Sequence, residues 1–173
     1  MAVDAATLSK LAEMTSFTGD ELNIMAGNFE RLSATRTKDR LIDKQEFKIM
    51  MNASPSMNSA FLDALFKMFD RDGSGGIDFQ EFVVALAIYQ NKAKAIPDTD
   101  KQKLFFKLYD IDGDGEISQQ DLALNLKSCF AASYMGVSDD DIAQLVKTTF
   151  ARYTLTPRGT IDFPSYSKLA FRL

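Results

Sequence analysis
Residues 70–81 run Asp-Arg-Asp-Gly-Ser-Gly-Gly-Ile-Asp-Phe-Gln-Glu, and residues 110–121 run Asp-Ile-Asp-Gly-Asp-Gly-Glu-Ile-Ser-Gln-Gln-Asp. Both stretches carry oxygen-bearing side chains at positions 1, 3, 5 and 12, glycine at 6 and isoleucine at 8. The spacing dictates a shape. Oxygens at 1, 3 and 5 and the carbonyl at 7 can surround a hard cation, and the acidic residue at 12 enters from the start of the next helix. Glycine at 6 permits the sharp turn that gathers them. Two such loops, each between amphipathic segments, restrict the chain to helix-loop-helix units.

The pattern is that of the EF-hand calcium loop, and it assigns ligands by position. In the first loop Asp70, Asp72 and Ser74 offer side-chain oxygens, Gly76 a carbonyl and Glu81 a bidentate carboxylate, with Asp78 at position 9. In the second, Asp110, Asp112 and Asp114 offer side chains, Glu116 a carbonyl, Ser118 stands at position 9 and Asp121 at 12. Aspartate is one methylene shorter than the glutamate usual at position 12. The second site is therefore expected to hold calcium less tightly and to tolerate magnesium, which prefers six ligands, relatively better. Ser118 and Asp121 also have the spacing of a capping box, so Asp121 is expected to serve both the helix start and the ion.

Apolar residues at helical spacing flank both loops: Phe61, Leu62, Leu65, Phe66 and Phe69 before the first, Phe82, Leu86 and Tyr89 after it. Leu104, Phe105 and Leu108 lead into the second loop, and Leu122, Leu124 and Leu126 lead out. EF-hands pair, and two further units are present in degenerate form. Thr18 to Glu21 reads as a capping box opening a helix through Ile24, Met25, Phe29 and Leu32. The loop Thr35 to Glu46 follows, with threonine at positions 1 and 3, Arg40 at 6 and Ile42 at 8. Downstream, Ser138 caps a helix carrying Ile142, Leu145, Val146 and Phe150. Its loop, Thr154 to Ser165, has Thr154, Thr156 and Arg158 at 1, 3 and 5, and Asp162 caps a last short helix. Neither degenerate loop is expected to bind a divalent ion. Their isoleucines are expected to face those of the intact loops, Ile42 with Ile77 and Ile117 with Ile161, in two-strand antiparallel bridges. The expected fold is all-α: four EF-hand units in two paired lobes, residues 1–93 and 94–173, joined through the polar segment Asn91 to Asp100.

Composition excludes other classes. The chain has no histidine, which removes imidazole acid–base chemistry and histidine-based zinc sites. Cys129 is the sole cysteine, so no intrachain disulfide forms, and its setting reads as helix packing. Gly73 to Gly76 is not a phosphate loop, since no Gly-Lys-Ser/Thr follows. No basic run with interleaved aromatics points to nucleic acid. The chain is therefore not expected to be an enzyme. The longest apolar run, Phe82 to Tyr89, is too short to span a bilayer, and Ala2 stands where myristoylation needs glycine. A cytoplasmic protein is expected.

With this repeat order the chain resembles the calcineurin B-like proteins from about residue 10 to 172. The resemblance is carried by Leu11 to Phe17, Leu65 to Gly73, Gly76 to Phe82 and Lys107 to Ile117. It is also similar to the calcium-and-integrin-binding proteins, which carry an aspartate at position 12 of the third loop. The first family implies a regulatory subunit that clasps an amphipathic helix of its partner, a Ser/Thr phosphatase catalytic subunit, in an apolar groove. The second implies a calcium/magnesium-dependent structural adaptor. The chain departs from calcineurin B in its two degenerate loops. Fourteen phenylalanines and eight methionines suit helix-in-groove binding. Candidate groove residues are Phe29, Phe47, Met50, Met51, Phe66, Met68, Phe82, Leu86 and Met135.

Overall fold
The computed structural model describes residues 3–35, 40–52, 58–133 and 135–169. Thr37 and Asp39 of the first degenerate loop, and Phe171 to Leu173, lie outside the described residues. The elements run α1 (Ala5–Met14), α2 (Gly19–Leu32), α3 (Lys44–Met50), α4 (Ser59–Phe69), α5 (Phe79–Tyr89), α6 (Asp98–Tyr109), β1 (Glu116–Ile117), α7 (Gln119–Ala132), α8 (Asp139–Phe150), β2 (Ile161–Asp162) and α9 (Phe163–Leu169). The fold is the expected all-α EF-hand architecture. The chain divides into two compact units, Met1–Ala53 with Phe66–Lys101, and Ser54–Leu65 with Gln102–Leu173.

The helix starts follow from local chemistry. A helix leaves its first amide hydrogens unpaired, and a short polar side chain just before it accepts them. Asp4 does this for α1, accepting from the Thr7 amide at 2.8 Å. Reciprocal capping boxes open α2 (Thr18 with Glu21), α3 (Asp43 with Glu46), α5 (Asp78 with Glu81) and α7 (Ser118 with Asp121).

Both isoleucine pairings form. Ile42 and Ile77 exchange amide hydrogen bonds of 2.9 and 3.0 Å in an antiparallel bridge. In the second unit β1 and β2 pair antiparallel with Ile117 opposite Ile161 and Glu116 opposite Asp162. All four isoleucines are buried. Each bridge thus ties an intact loop to a degenerate one and seats its isoleucines in the core.

The first unit's core joins Leu11, Leu22, Phe29, Phe47, Phe66, Phe82 and Val83. Phe47 meets Phe66 edge-on at 5.5 Å between ring centroids, and Phe29 meets Phe79 in the same way at 5.5 Å. Five of the candidate groove residues, Phe29, Phe47, Phe66, Met68 and Phe82, are therefore core in this conformation; Met135 is 59% exposed. The second unit is built on Phe106, Ile117, Leu122, Ile142, Val146, Phe150 and Ile161.

One element goes beyond the four repeats. Helix α1 packs on α2 and α5 and buries Leu11 completely. The chain leaving it pairs with the segment after α5. Thr15 bridges Ala93, the Ser16 amide donates to the Lys92 carbonyl at 2.7 Å, and the Lys94 amide donates to the Met14 carbonyl at 3.0 Å. Lys92 adds an ion pair with Glu21 at 2.8 Å and lies 4.5 Å over the Phe17 ring. Residues 92–95, whose composition reads as linker, are thus fastened to the first unit, and α6 already begins at Asp98.

Candidate metal centres
All four loops place a left-handed residue at position 6. Gly75, Gly115 and Gly159 have φ of 89°, 89° and 78°, and Arg40 occupies the same region at 65°. A side chain there is sterically costly, so the first degenerate loop retains the turn without the residue that makes it easy.

In the first intact loop the carboxylates of Asp70, Asp72 and Glu81 bring ligand oxygens within 4.8 Å of one another. Backbone amides hold them in place. Asp70 accepts from Ser74 at 2.9 Å and Gly75 at 3.0 Å, and Asp72 also accepts from Ser74 at 2.9 Å. Glu81 divides its oxygens. Oε2 caps its own helix through the Asp78 amide at 3.0 Å, while Oε1 crosses the loop to the Arg71 amide at 2.8 Å and the Asp72 amide at 3.3 Å. The Ser74 hydroxyl donates to the Gly76 carbonyl at 2.9 Å, placing those two donors side by side. The hydrogen bonds from Ser74 hold the Asp72 carboxyl below its ordinary range.

In the second loop Asp110, Asp112 and Asp114 converge within the same 4.8 Å. Asp110 accepts from Gly113 at 2.8 Å and Gly115 at 3.0 Å. Burial raises the Asp110 carboxyl, Asp114 and Asp112 raise it further by like charge, and the two glycine amides oppose the shift. Asp121 stands apart from this trio. It is buried, and its Oδ2 accepts from both the Ser118 amide at 2.9 Å and the Ser118 hydroxyl at 2.5 Å. The longer Glu81 caps and crosses its loop; Asp121 caps. Glu116 lies in β1 beside the trio, its amide donating to Asp114 at 2.9 Å.

The donor sets fit a hard divalent cation. They contain only oxygen, they gather like charges, and no lysine or arginine pairs with the six clustered carboxylates among the described residues. Glu81's part in a helix cap goes beyond its expected role as a ligand, although the Asp78-x-x-Glu81 spacing carries that signal as plainly as Ser118-x-x-Asp121. The degenerate loop at 35–46 keeps its position-12 acid, Glu46, fully buried, where it accepts from the Thr35 hydroxyl at 3.1 Å and the Asp43 amide at 3.0 Å.

The second unit also contains a cavity of about 460 Å³ lined by Tyr109, Leu122, Leu126, Cys129, Tyr153 and Tyr166 among others. Cys129, expected as a packing residue, is exposed on α7 at this cavity, and partial burial of its sulfur raises the thiol.

Comparison with known proteins agrees with this geometry. An EF hand domain model matches residues 61–88, and a second EF hand model matches residues 102–124. Calcineurin B of Candida glabrata is 30% identical over 156 residues, covering 90% of this chain and 83% of the relative. Calcineurin B-like protein 5 of Arabidopsis thaliana is 27% identical over 159 residues, covering 92% and 77%. Calcineurin B of Schizosaccharomyces pombe is 28% identical over 159 residues, covering 92% and 85%.

Proposed function
The chain belongs to the calcineurin B-like family of calcium-binding, non-catalytic EF-hand proteins, and from that premise we propose that it is a two-site calcium-dependent regulatory subunit of a Ser/Thr protein phosphatase. The proposed ligands are Asp70, Asp72, Ser74, Gly76 and Glu81 in one EF-hand pair (1–93), and Asp110, Asp112, Asp114, Glu116 and Asp121 in the other (94–173). The observation that carries the reading is the pair of convergent carboxylate clusters, each bridged to a degenerate loop that carries no such cluster among the described residues. Magnesium competes better at the second site, because Asp121 is committed to Ser118 and leaves a set closer to six ligands.

A cation drawing position 12 toward the loop pulls on the N-terminus of the following helix, α5 or α7. Such a movement opens helix pairs in sensor EF-hands. The cavity beside α7 supports the second unit as the place where an apolar helix face of the partner enters. No helix among the described residues is long and apolar enough to cross a membrane.

The experiment compares the purified chain in calcium and in chelator. Calcium should raise the fluorescence of a hydrophobic dye and strengthen binding to a Ser/Thr phosphatase catalytic subunit. Equal binding in both states, with no dye response, favours instead a calcium/magnesium-dependent structural adaptor. The burial of Phe29, Phe47, Phe66, Met68 and Phe82 in the first unit supports that second reading for this half of the molecule.

A further inference from the structure
In the degenerate loop Thr154 to Ser165, positions 3, 5 and 7 are Thr156, Arg158 and Thr160. An intact loop uses these positions to face a cation; here they build a chain that ends on a carboxylate. The Thr160 hydroxyl donates to Glu116 Oε2 at 2.6 Å, and the Arg158 guanidinium lies 3.7 Å from the same oxygen. The Thr156 and Thr160 hydroxyl oxygens are 2.6 Å apart. A threonine has one hydroxyl proton. Thr160 gives its proton to Glu116, so Thr156 must donate to Thr160. The Thr156 oxygen in turn accepts from the Arg158 amide at 3.3 Å and the Thr160 amide at 3.4 Å. The direction of the chain is therefore determined: loop backbone to Thr156, to Thr160, to Glu116.

Glu116 is the position-7 residue of the intact loop, the one whose backbone carbonyl is directed at the ion. Its side chain reaches across the β1–β2 bridge to Thr160 of the degenerate loop. We infer that Thr160 is a positioning residue for the cation site of residues 110–121: by holding the Glu116 side chain, it fixes the orientation of the Glu116 carbonyl. The inference rests on the proposed assignment of that loop as a calcium site. Arg158 contributes little, because its side chain is 76% exposed and exposed ion pairs are weak. The short, half-buried hydroxyl bond to a charged acceptor carries the effect. Groups that orient a metal ligand from behind change affinity without touching the metal.

The first unit offers an apolar counterpart at the same position. Gly76, position 7 of loop 70–81, lies against Leu41 of the other degenerate loop so closely that a Cβ on Gly76 would be 2.9 Å from the Leu41 Cβ. Both degenerate loops thus press on the carbonyl-bearing residue of their neighbour, one through carbon and one through a hydroxyl.

The test uses the full chain and terbium luminescence excited through Tyr109, which adjoins Asp110, with calcium displacement reporting loop 110–121. Calorimetry follows both sites. Thr160→Val should weaken calcium binding at 110–121 about tenfold and speed dissociation, leaving loop 70–81 unchanged. Thr160→Ser keeps the hydroxyl and should restore the affinity. Val146→Ala, a change on α8 in the same core that leaves the Glu116–Thr160 hydrogen bond in place, controls for general loosening of the unit. If Thr160→Val does not fold, Thr160→Ala, which removes the same hydroxyl, takes its place and should also weaken the site. Affinity in these variants equal to wild type, or an equal loss in Val146→Ala, overturns the inference alone. Absence of calcium binding by the wild-type loop overturns it together with the functional reading.

Discussion

Asp121→Glu lengthens by one methylene the side chain that closes the second cation loop. In the present chain Asp121 Oδ2 takes two hydrogen bonds from Ser118 and the residue stays outside the Asp110, Asp112 and Asp114 cluster. The matching residue of the first loop shows what a longer acid does. Glu81 keeps the cap with one oxygen at 3.0 Å from the Asp78 amide and sends the other across to Arg71 at 2.8 Å, within reach of Asp70 and Asp72. One further C–C bond, about 1.5 Å, separates the two arrangements. A direct contact between a carboxylate oxygen and a charged partner is worth about 1.5–3 kcal/mol, less about 0.5 kcal/mol for holding one more torsion. The remainder, about 1–2.5 kcal/mol, is about a five- to sixtyfold gain at 1.4 kcal/mol per factor of ten. Calorimetric titration of the full chain with calcium and with magnesium measures it. Calcium affinity should rise at loop 110–121 with no change at 70–81, and the ratio of calcium to magnesium affinity should rise with it. Because Ser-x-x-Glu is itself a capping box, helix α7 should keep its start and the ion-free protein its melting temperature. An unchanged calcium affinity, or a gain shared equally by magnesium, refutes the argument that the length of residue 121 limits the site.

Three other perturbations follow from the same geometry. Glu81→Gln removes one charge from the position-12 ligand and should cost about ten- to hundredfold in calcium affinity at loop 70–81, since charged hydrogen-bond and ligand contacts are worth about 1.5–3 kcal/mol; calorimetry showing two intact sites contradicts it. Gly76→Ala sets a methyl 2.9 Å from the Leu41 Cβ and 3.0 Å from its Cδ1, so it should destabilise the first unit by about 1–3 kcal/mol and weaken loop 70–81 alone, read by denaturant unfolding and calcium titration. The Glu21 carboxyl is held down to about 2 from an ordinary 4.5, first by its hydrogen bond from Lys92 and then by the Thr18 amide. A depressed carboxyl stabilises fully above its unfolded value and loses that effect as pH falls through the folded one. The melting temperature of wild type should therefore exceed that of Lys92→Met at neutral pH, with the gap closing between pH 4.5 and about 2; a constant gap would exclude the ion pair as its source.

What the sequence revealed was set by how local each cause is. The spacing of the candidate ligands in both intact loops and the degeneracy of the other two are set within twelve residues and could be read directly, and the isoleucine pairings followed from position 8 recurring in paired loops. The Thr18 and Ser118 caps were legible for the same reason. The fate of the phenylalanines was not. Phe47 and Phe66 have the spacing of a groove face and of a core face alike, and only the neighbours that meet them edge-on decide between the two. Helix α1 escapes a sequence reading because its stabilising partners, α5 and residues 92–95, lie far along the chain. Asp121 falls between these cases. Its cap could be foreseen, but whether its carboxylate divides between cap and loop depends on side-chain reach that a motif does not encode.

The pairing of Thr15 with Ala93 has a kinetic meaning. It joins the two ends of the first EF-hand pair, so the chain between them must be largely ordered before the pairing repays the entropy of closing so long a loop. Docking of α1 is therefore expected late in folding, and its release early in unfolding. Release of α1 bares the faces of α2 and α5 beneath it. A few backbone hydrogen bonds, the burial of Leu11 and the Lys92–Glu21 pair hold α1 against that release.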